Sequence, residues 1–204
     1  ALVSALLTTL AYRKRVLLPE DTSWLRIARI SWGIHAFAIL SVIGLVFYIM
    51  INQMYEYNYA WHHVSDDLPM KYIFSAFWEG QEGSFLLWMF WHVVLGSVVL
   101  FTAKRWEAGV MTWLSLVQIS LVSMIAGIYF SDDVRLGSSP FLLLRDTMQA
   151  PIFSNPNYLS LIEGNGLNPL LQNYWMTIHP PTLFLGFASV TIPFCFAMTG
   201  LWEK

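Results

Sequence analysis

The sequence predicts an all-α integral membrane protein with five transmembrane helices, the first truncated, and two long extracytoplasmic segments. Three observations carry this expectation. Of 204 residues, 56% are hydrophobic and only 12% charged, about half the roughly 25% charge of a soluble domain. Apolar runs recur at membrane-crossing length. The cations are divided unequally between the two sides that those runs define.

A helix crossing ~30 Å of hydrocarbon at ~1.5 Å per residue needs about 20 mostly apolar residues. Complete runs fall at 30–51, 84–103, 110–130 and 181–202, and a partial run occupies 1–12. The backbone finds no water in lipid, so each run is expected to be helical. Pro193 inside the last run is tolerable there and predicts a kink. The chain opens at Ala1 already within an apolar run, with no basic stretch ahead of it. This reads as a helix lacking its first residues and not as a signal peptide. No repeat or low-complexity segment divides the chain, so 1–204 is expected to be a single membrane domain.

Arg13, Lys14, Arg15, Arg26, Arg29, Lys104, Arg105 and Lys204 fall on one side of these runs, and Lys71, Arg135 and Arg145 on the other. The eight-to-three split places the first set in the cytoplasm. The amino terminus is then outside, the carboxyl terminus inside, and segments 52–83 and 131–180 are extracytoplasmic, at the cytoplasmic (inner) membrane. The 10 Trp, 9 Tyr and 14 Phe suit rings at a membrane interface. A net charge of −2 without a basic stripe speaks against nucleic acid as a partner. Cys195 is the sole cysteine, so no disulfide forms within the chain. No phosphate-binding loop is present, which excludes nucleotide hydrolysis within these residues.

Loops as long as the two outer segments are usually functional or disordered. Their Leu, Phe, Trp and Ile content argues against disorder and for a folded layer at the membrane surface. Two stretches in them stand out. Trp78-Glu79-Gly80-Gln81-Glu82-Gly83-Ser84-Phe85-Leu86-Leu87-Trp88 puts carboxylates and glycines at the mouth of a helix, where Glu82 favours the positive end and Ser84 can cap it. Gly166-Leu167-Asn168-Pro169-Leu170-Leu171-Gln172 is followed by His179-Pro180-Pro181. Two prolines fit the first turn of the final helix and are expected to leave His179 extended at the membrane boundary. A rigidly held imidazole there suits a metal or haem iron. A histidine hydrogen-bonded at the interface is the competing reading.

These two blocks closely resemble the CcmF/NrfE/CcsA haem-handling family of cytochrome c-type biogenesis proteins. The resemblance is loose up to about residue 60 and close at the blocks. It implies cytochrome c maturation in a membrane haem lyase complex that presents haem for thioether attachment to two cysteines of an apocytochrome c. A haem-delivery chaperone, other maturation subunits and membrane lipids are the partners implied, and a transiently bound b-type haem the cofactor. The family's external axial histidine matches His179. Trp78, Trp88 and Trp175, with Trp61, are candidates for an apolar platform beneath the porphyrin, although interface anchoring suits each alone. The family's tryptophan-rich segment is expected downstream of Lys204, so the chain corresponds to an amino-terminal portion, and lyase activity is expected only when joined to that part. Holding an axial ligand and an apolar platform is a positioning role, since thiolate and vinyl groups supply the reactivity.

His92, near the middle of 84–103, is a weaker candidate for haem contact or proton handling, and is expected to face protein and not lipid. His35, read as near the cytoplasmic end of its span, is expected to be structural. His62 and His63 are adjacent and cannot share one helical face. Asp66, Asp67, Asp132 and Asp133 read as solvated loop residues. Two other functions compete: a cofactor-free subunit that anchors partners, and a transporter of haem or another hydrophobic ligand, which the lack of paired half-helix interruptions disfavours.

Overall fold

The structure, a computed structural model, describes residues 1–130 and 135–202. The architecture is helical: α1 (Leu2–Leu17), α2 (Ser23–Ile51), α3 (Asn58–His63), α4 (Ile73–Glu79), α5 (Gln81–Thr102), α6 (Glu107–Ile125), α7 (Leu144–Thr147) and α8 (Tyr174–Trp202). A two-residue antiparallel pairing joins Ile128–Tyr129 to Arg135–Leu136. Four helices are long and apolar enough to cross a membrane: Ser23–Ile51, Gln81–Thr102, Lys104–Ile125 and Tyr174–Trp202. The chain is a membrane protein. At 16 residues, α1 is shorter than a full span, and it packs against α2 and α6. The predicted carboxylates Asp132 and Asp133 and the cation Lys204 lie outside the described residues.

The four complete predicted runs are recovered as helices of spanning length with shifted ends. Helix α2 starts at Ser23 and not at residue 30, because a partner neutralises the charge that broke the apolar run. Arg29 donates from Nε and Nη2 to the two Glu107 carboxylate oxygens at 2.8 and 2.6 Å. Tyr12 donates to the same carboxylate at 3.1 Å. This knot ties α1, α2 and α6 at one end of the bundle. The earlier start also moves His35 to about three turns inside α2; it is fully buried, with Nδ1 3.1 Å from the Ala1 carbonyl oxygen. Helix α6 stops at Ile125 and not at residue 130, since the chain turns through Gly127 at φ +59° into the short strand pairing.

Side chains fill the bundle in two clusters. Near the knot, Tyr12, Trp32, Val99, Met111, Leu114 and Cys195 pack together. Gly96 permits this contact, because a Cβ there would run into the Trp32 ring and a Leu114 methyl. Toward the other end, Ile39, Met50, Phe77, Leu86, Met89 and Leu167 form the larger cluster. His92 is fully buried, as expected of an ionisable ring within a span. Its neighbour on α5, Trp88, packs in tilted contacts against Phe184 and Phe187 of α8.

The described parts of the two long segments, up to the start of α8, pack together as one cap over that second end. Asn58 N–H donates to the Leu142 carbonyl and Leu144 N–H to the Glu56 carbonyl, each at 2.8 Å. Asn165 N–H reaches the Trp61 carbonyl at 2.8 Å and Gly166 N–H the Val64 carbonyl at 3.2 Å. Gly166 has φ +74° beside Ser65, a backbone state that glycine adopts without strain. Leu167 then drops into the core. Asn168 accepts from Leu170 N–H at 3.0 Å, and Gln172 donates to the Leu167 carbonyl at 3.0 Å. The motif 166–172 thus turns, plugs and clamps its own loop.

Candidate functional site at the capped end of the bundle

The final helix begins at Tyr174, with Asn173 accepting from Met176 N–H at 3.1 Å as its cap. His179, Pro180 and Pro181 therefore lie inside α8. The expected extended His179 ahead of the helix is corrected: the residue is helical and exposed. Proline inside a helix is costly because its missing N–H orphans the carbonyl four residues earlier. At Pro180 that carbonyl belongs to Met176, and the Trp78 indole N–H donates to it at 2.7 Å. Beside it, the Ser75 and Thr177 hydroxyls meet at 2.9 Å. Trp91 donates to the Pro181 carbonyl at 3.0 Å. The Trp78 indole on α4 thus replaces the donor that Pro180 removes, and Trp91 adds a tie from α5 to the same stretch of α8, so the helix runs through the prolines.

Helix α4 is itself anchored. Its last carbonyls would be orphaned at a helix C-terminus. Tyr59 donates to the Phe77 carbonyl at 2.5 Å and accepts from Gly83 N–H at 3.1 Å. Ser84 donates to the Trp78 carbonyl at 2.8 Å. This corrects the expectation that Ser84 caps α5; it closes α4 instead, while Glu82 does sit in the first turn of α5. Gly80 and Gly83 are glycines because Tyr59 and His63 lie against them: a Cβ on Gly80 would be 2.5 Å from the Tyr59 hydroxyl and 2.8 Å from His63 Nε2. Burial raises the Tyr59 phenol well above its ordinary value, with Glu82 adding to the shift. Burial also lowers His63 and raises the Glu79 carboxyl. His63 Nδ1 lies 2.7 Å from the Tyr59 carbonyl oxygen, whereas His62 is exposed. Tyr55 donates to Asp66 at 2.5 Å, so this carboxylate is exposed but engaged; Asp67 is simply exposed.

The sequence-predicted residues thus fall into two groups. His179 and Trp175, four residues apart, share one exposed face of α8, with Trp175 72% exposed. Trp78 is buried and Trp88 half-buried among α8 rings. Beside the proline turn lies an apolar cavity of about 280 Å³, lined by Phe47, Phe77, Trp78, Leu87, Trp91 and Pro181. Ser75, Trp91, Asn173 and Tyr59 were missed from sequence. The proline pair, which weakens the first turns of α8 and calls for a firm cap, is the signal that points to Asn173; nothing local points to the other three. Among the described residues no group of three His, Cys, Asp or Glu side chains could hold a metal ion. An exposed imidazole with an indole one turn away fits one axial ligand and one edge of a porphyrin.

Fold and site together define a membrane helical bundle that presents a histidine at a folded, aromatic-rich cap. Residues 78–204 match the cytochrome C assembly protein family, and the chain belongs to that family. It is 30% identical over 188 residues to cytochrome c-type biogenesis protein CcmF of Pseudomonas fluorescens, covering 90% of this chain and 25% of that protein. It is 29% identical to CcmF of Escherichia coli (79% of this chain, 23% of that protein) and 28% identical to NrfE of Haemophilus influenzae (78% and 22%). The chain thus spans about a quarter of the length of these relatives. No solved structure matches.

Proposed function

We propose that this chain is the part of a cytochrome c maturation complex that receives haem at the outer face of the inner membrane, with His179 as an axial ligand of the iron. The observation that carries the reading is the exposed His179–Trp175 face on a turn of α8 fixed by donors from two other helices. Family membership supports haem as cargo, and apocytochrome c, a haem-delivery chaperone and other maturation subunits as partners. Bound haem supplies the vinyl groups to which apocytochrome thiols add. The chain's own residues orient and shield: His179 fixes the iron, and Trp175 covers one edge of the ring. Trp78 and Trp88 bound the site from behind. His92 is buried too far within the bundle to share that face, and we assign it to packing between α5 and its neighbours.

The cation split supports an extracytoplasmic cap and five spans, α1 included, with the amino terminus outside. In the intact protein, His179→Ala should abolish cytochrome c maturation while membrane abundance stays normal. Normal maturation in that variant overturns the ligand assignment. Loss of the protein itself would make His179 a structural residue.

A further inference from the structure

We infer that Trp78 is a positioning residue, whose indole N–H sets the orientation of His179 by replacing the backbone donor that Pro180 lacks. The inference rests on the reading of His179 as the iron ligand, and it assigns Trp78 a task other than lining a porphyrin. Trp78 is 9% exposed, leaving little ring surface for a ligand. Its indole N–H is committed to the Met176 carbonyl at 2.7 Å. That carbonyl is the one a residue with an N–H at position 180 would engage. Met176 stands three residues before His179, on the same turn of α8. The brace is braced in turn: Tyr59 holds the Phe77 carbonyl and Ser84 of α5 holds the Trp78 carbonyl, so Trp78 is fixed relative to α5. The adjacent Ser75–Thr177 contact at 2.9 Å makes a second tie between the same two elements. The arrangement gives His179 a turn loosened on one side by proline and clamped on the other by α4, which a regular helix would not need.

Trp78→Phe keeps an aromatic ring and deletes the N–H. Pro180→Ala returns the missing backbone N–H, so the Met176 carbonyl no longer needs the indole. In the intact, detergent-solubilised protein, Trp78→Phe should speed amide exchange at Thr177, Ile178, His179 and Thr182 by about three- to tenfold, the scale of one interhelical hydrogen bond. It should weaken haem binding, read from Soret titration, by a similar factor. The pair Trp78→Phe with Pro180→Ala should restore both. Ring packing alone does not produce that rescue, so an unrescued double variant overturns the inference, as does wild-type exchange in Trp78→Phe. Loosened exchange with unchanged haem affinity also overturns it, because the brace would then hold the helix without serving His179. If His179→Ala itself leaves the titration unchanged, the ligand reading fails, and the exchange data alone then decide whether Trp78 fixes the turn.

Discussion

A methyl group at position 83 is the smallest perturbation that reaches the joint between α4 and α5. Added to Gly83, it would overlap the Phe77 carbonyl and lie 2.5 Å from the Tyr59 hydroxyl. Both atoms belong to the hydrogen bonds that close α4, Tyr59 to Phe77 and Gly83 to Tyr59. Overpacking a tight contact costs about 1–3 kcal/mol, and each of the two hydrogen bonds contributes about 1 kcal/mol. Alanine in place of a helical glycine returns about 1 kcal/mol. Gly83→Ala should therefore destabilise the protein by about 2–4 kcal/mol. Gly186 in α8 supplies the control, since a Cβ there meets nothing within 4 Å. Gly186→Ala should be neutral or stabilising by up to about 1 kcal/mol. Denaturant unfolding in mixed detergent micelles, followed by tryptophan fluorescence, measures both variants. Equal stability of the two would refute the joint as described.

The knot at the opposite end predicts that Glu107→Ala costs about 1–3 kcal/mol, reduced from a buried pair because Arg29 is half exposed. Adding Arg29→Ala to that variant should cost little more, and full additivity in the double-mutant cycle would refute the pairing. His63 is held below its ordinary value of about 6.5 by burial, so the fold favours its neutral form. Its contribution is present above that value and lost as pH falls below it. The cap of the wild type should loosen between pH 7 and pH 5 in amide exchange, with a weaker response in His63→Gln; identical pH profiles would contradict this. Cysteines introduced as Ser65→Cys and Ser138→Cys should react with an impermeant reagent applied outside intact cells, and Thr22→Cys should not. The reverse labelling would invert the proposed orientation.

Much of the fold was legible in the sequence because lipid permits few solutions. The apolar runs in α2, α5, α6 and α8 had to be helical, and the ring of His92 had to turn inward. The ends were less legible because partners far along the chain decide them. Arg29 looked like a boundary until Glu107, 78 residues away, neutralised it. Pro180 and Pro181 looked like a helix start, since prolines favour a first turn. Nothing local reveals that Trp78, 98 residues before Met176, supplies the donor that lets the helix begin earlier. The same blindness applied to the site. His179 and Trp175 could be picked out as residue types at a boundary, but their shared exposed face depends on the helical register that the prolines disguised. Ser84 reads equally well as the start of α5 or the end of α4, and only the position of the Trp78 carbonyl decides.

The central claim is that the His179 imidazole ligates haem iron, and its most direct test replaces that imidazole from solution. The intact protein carrying His179→Gly should lose the Soret band of the bound haem, or show it shifted to that of a five-coordinate iron. Added free imidazole should restore the wild-type spectrum, with the protein equally abundant and folded throughout. A His179→Gly spectrum identical to wild type before any imidazole is added would contradict the account.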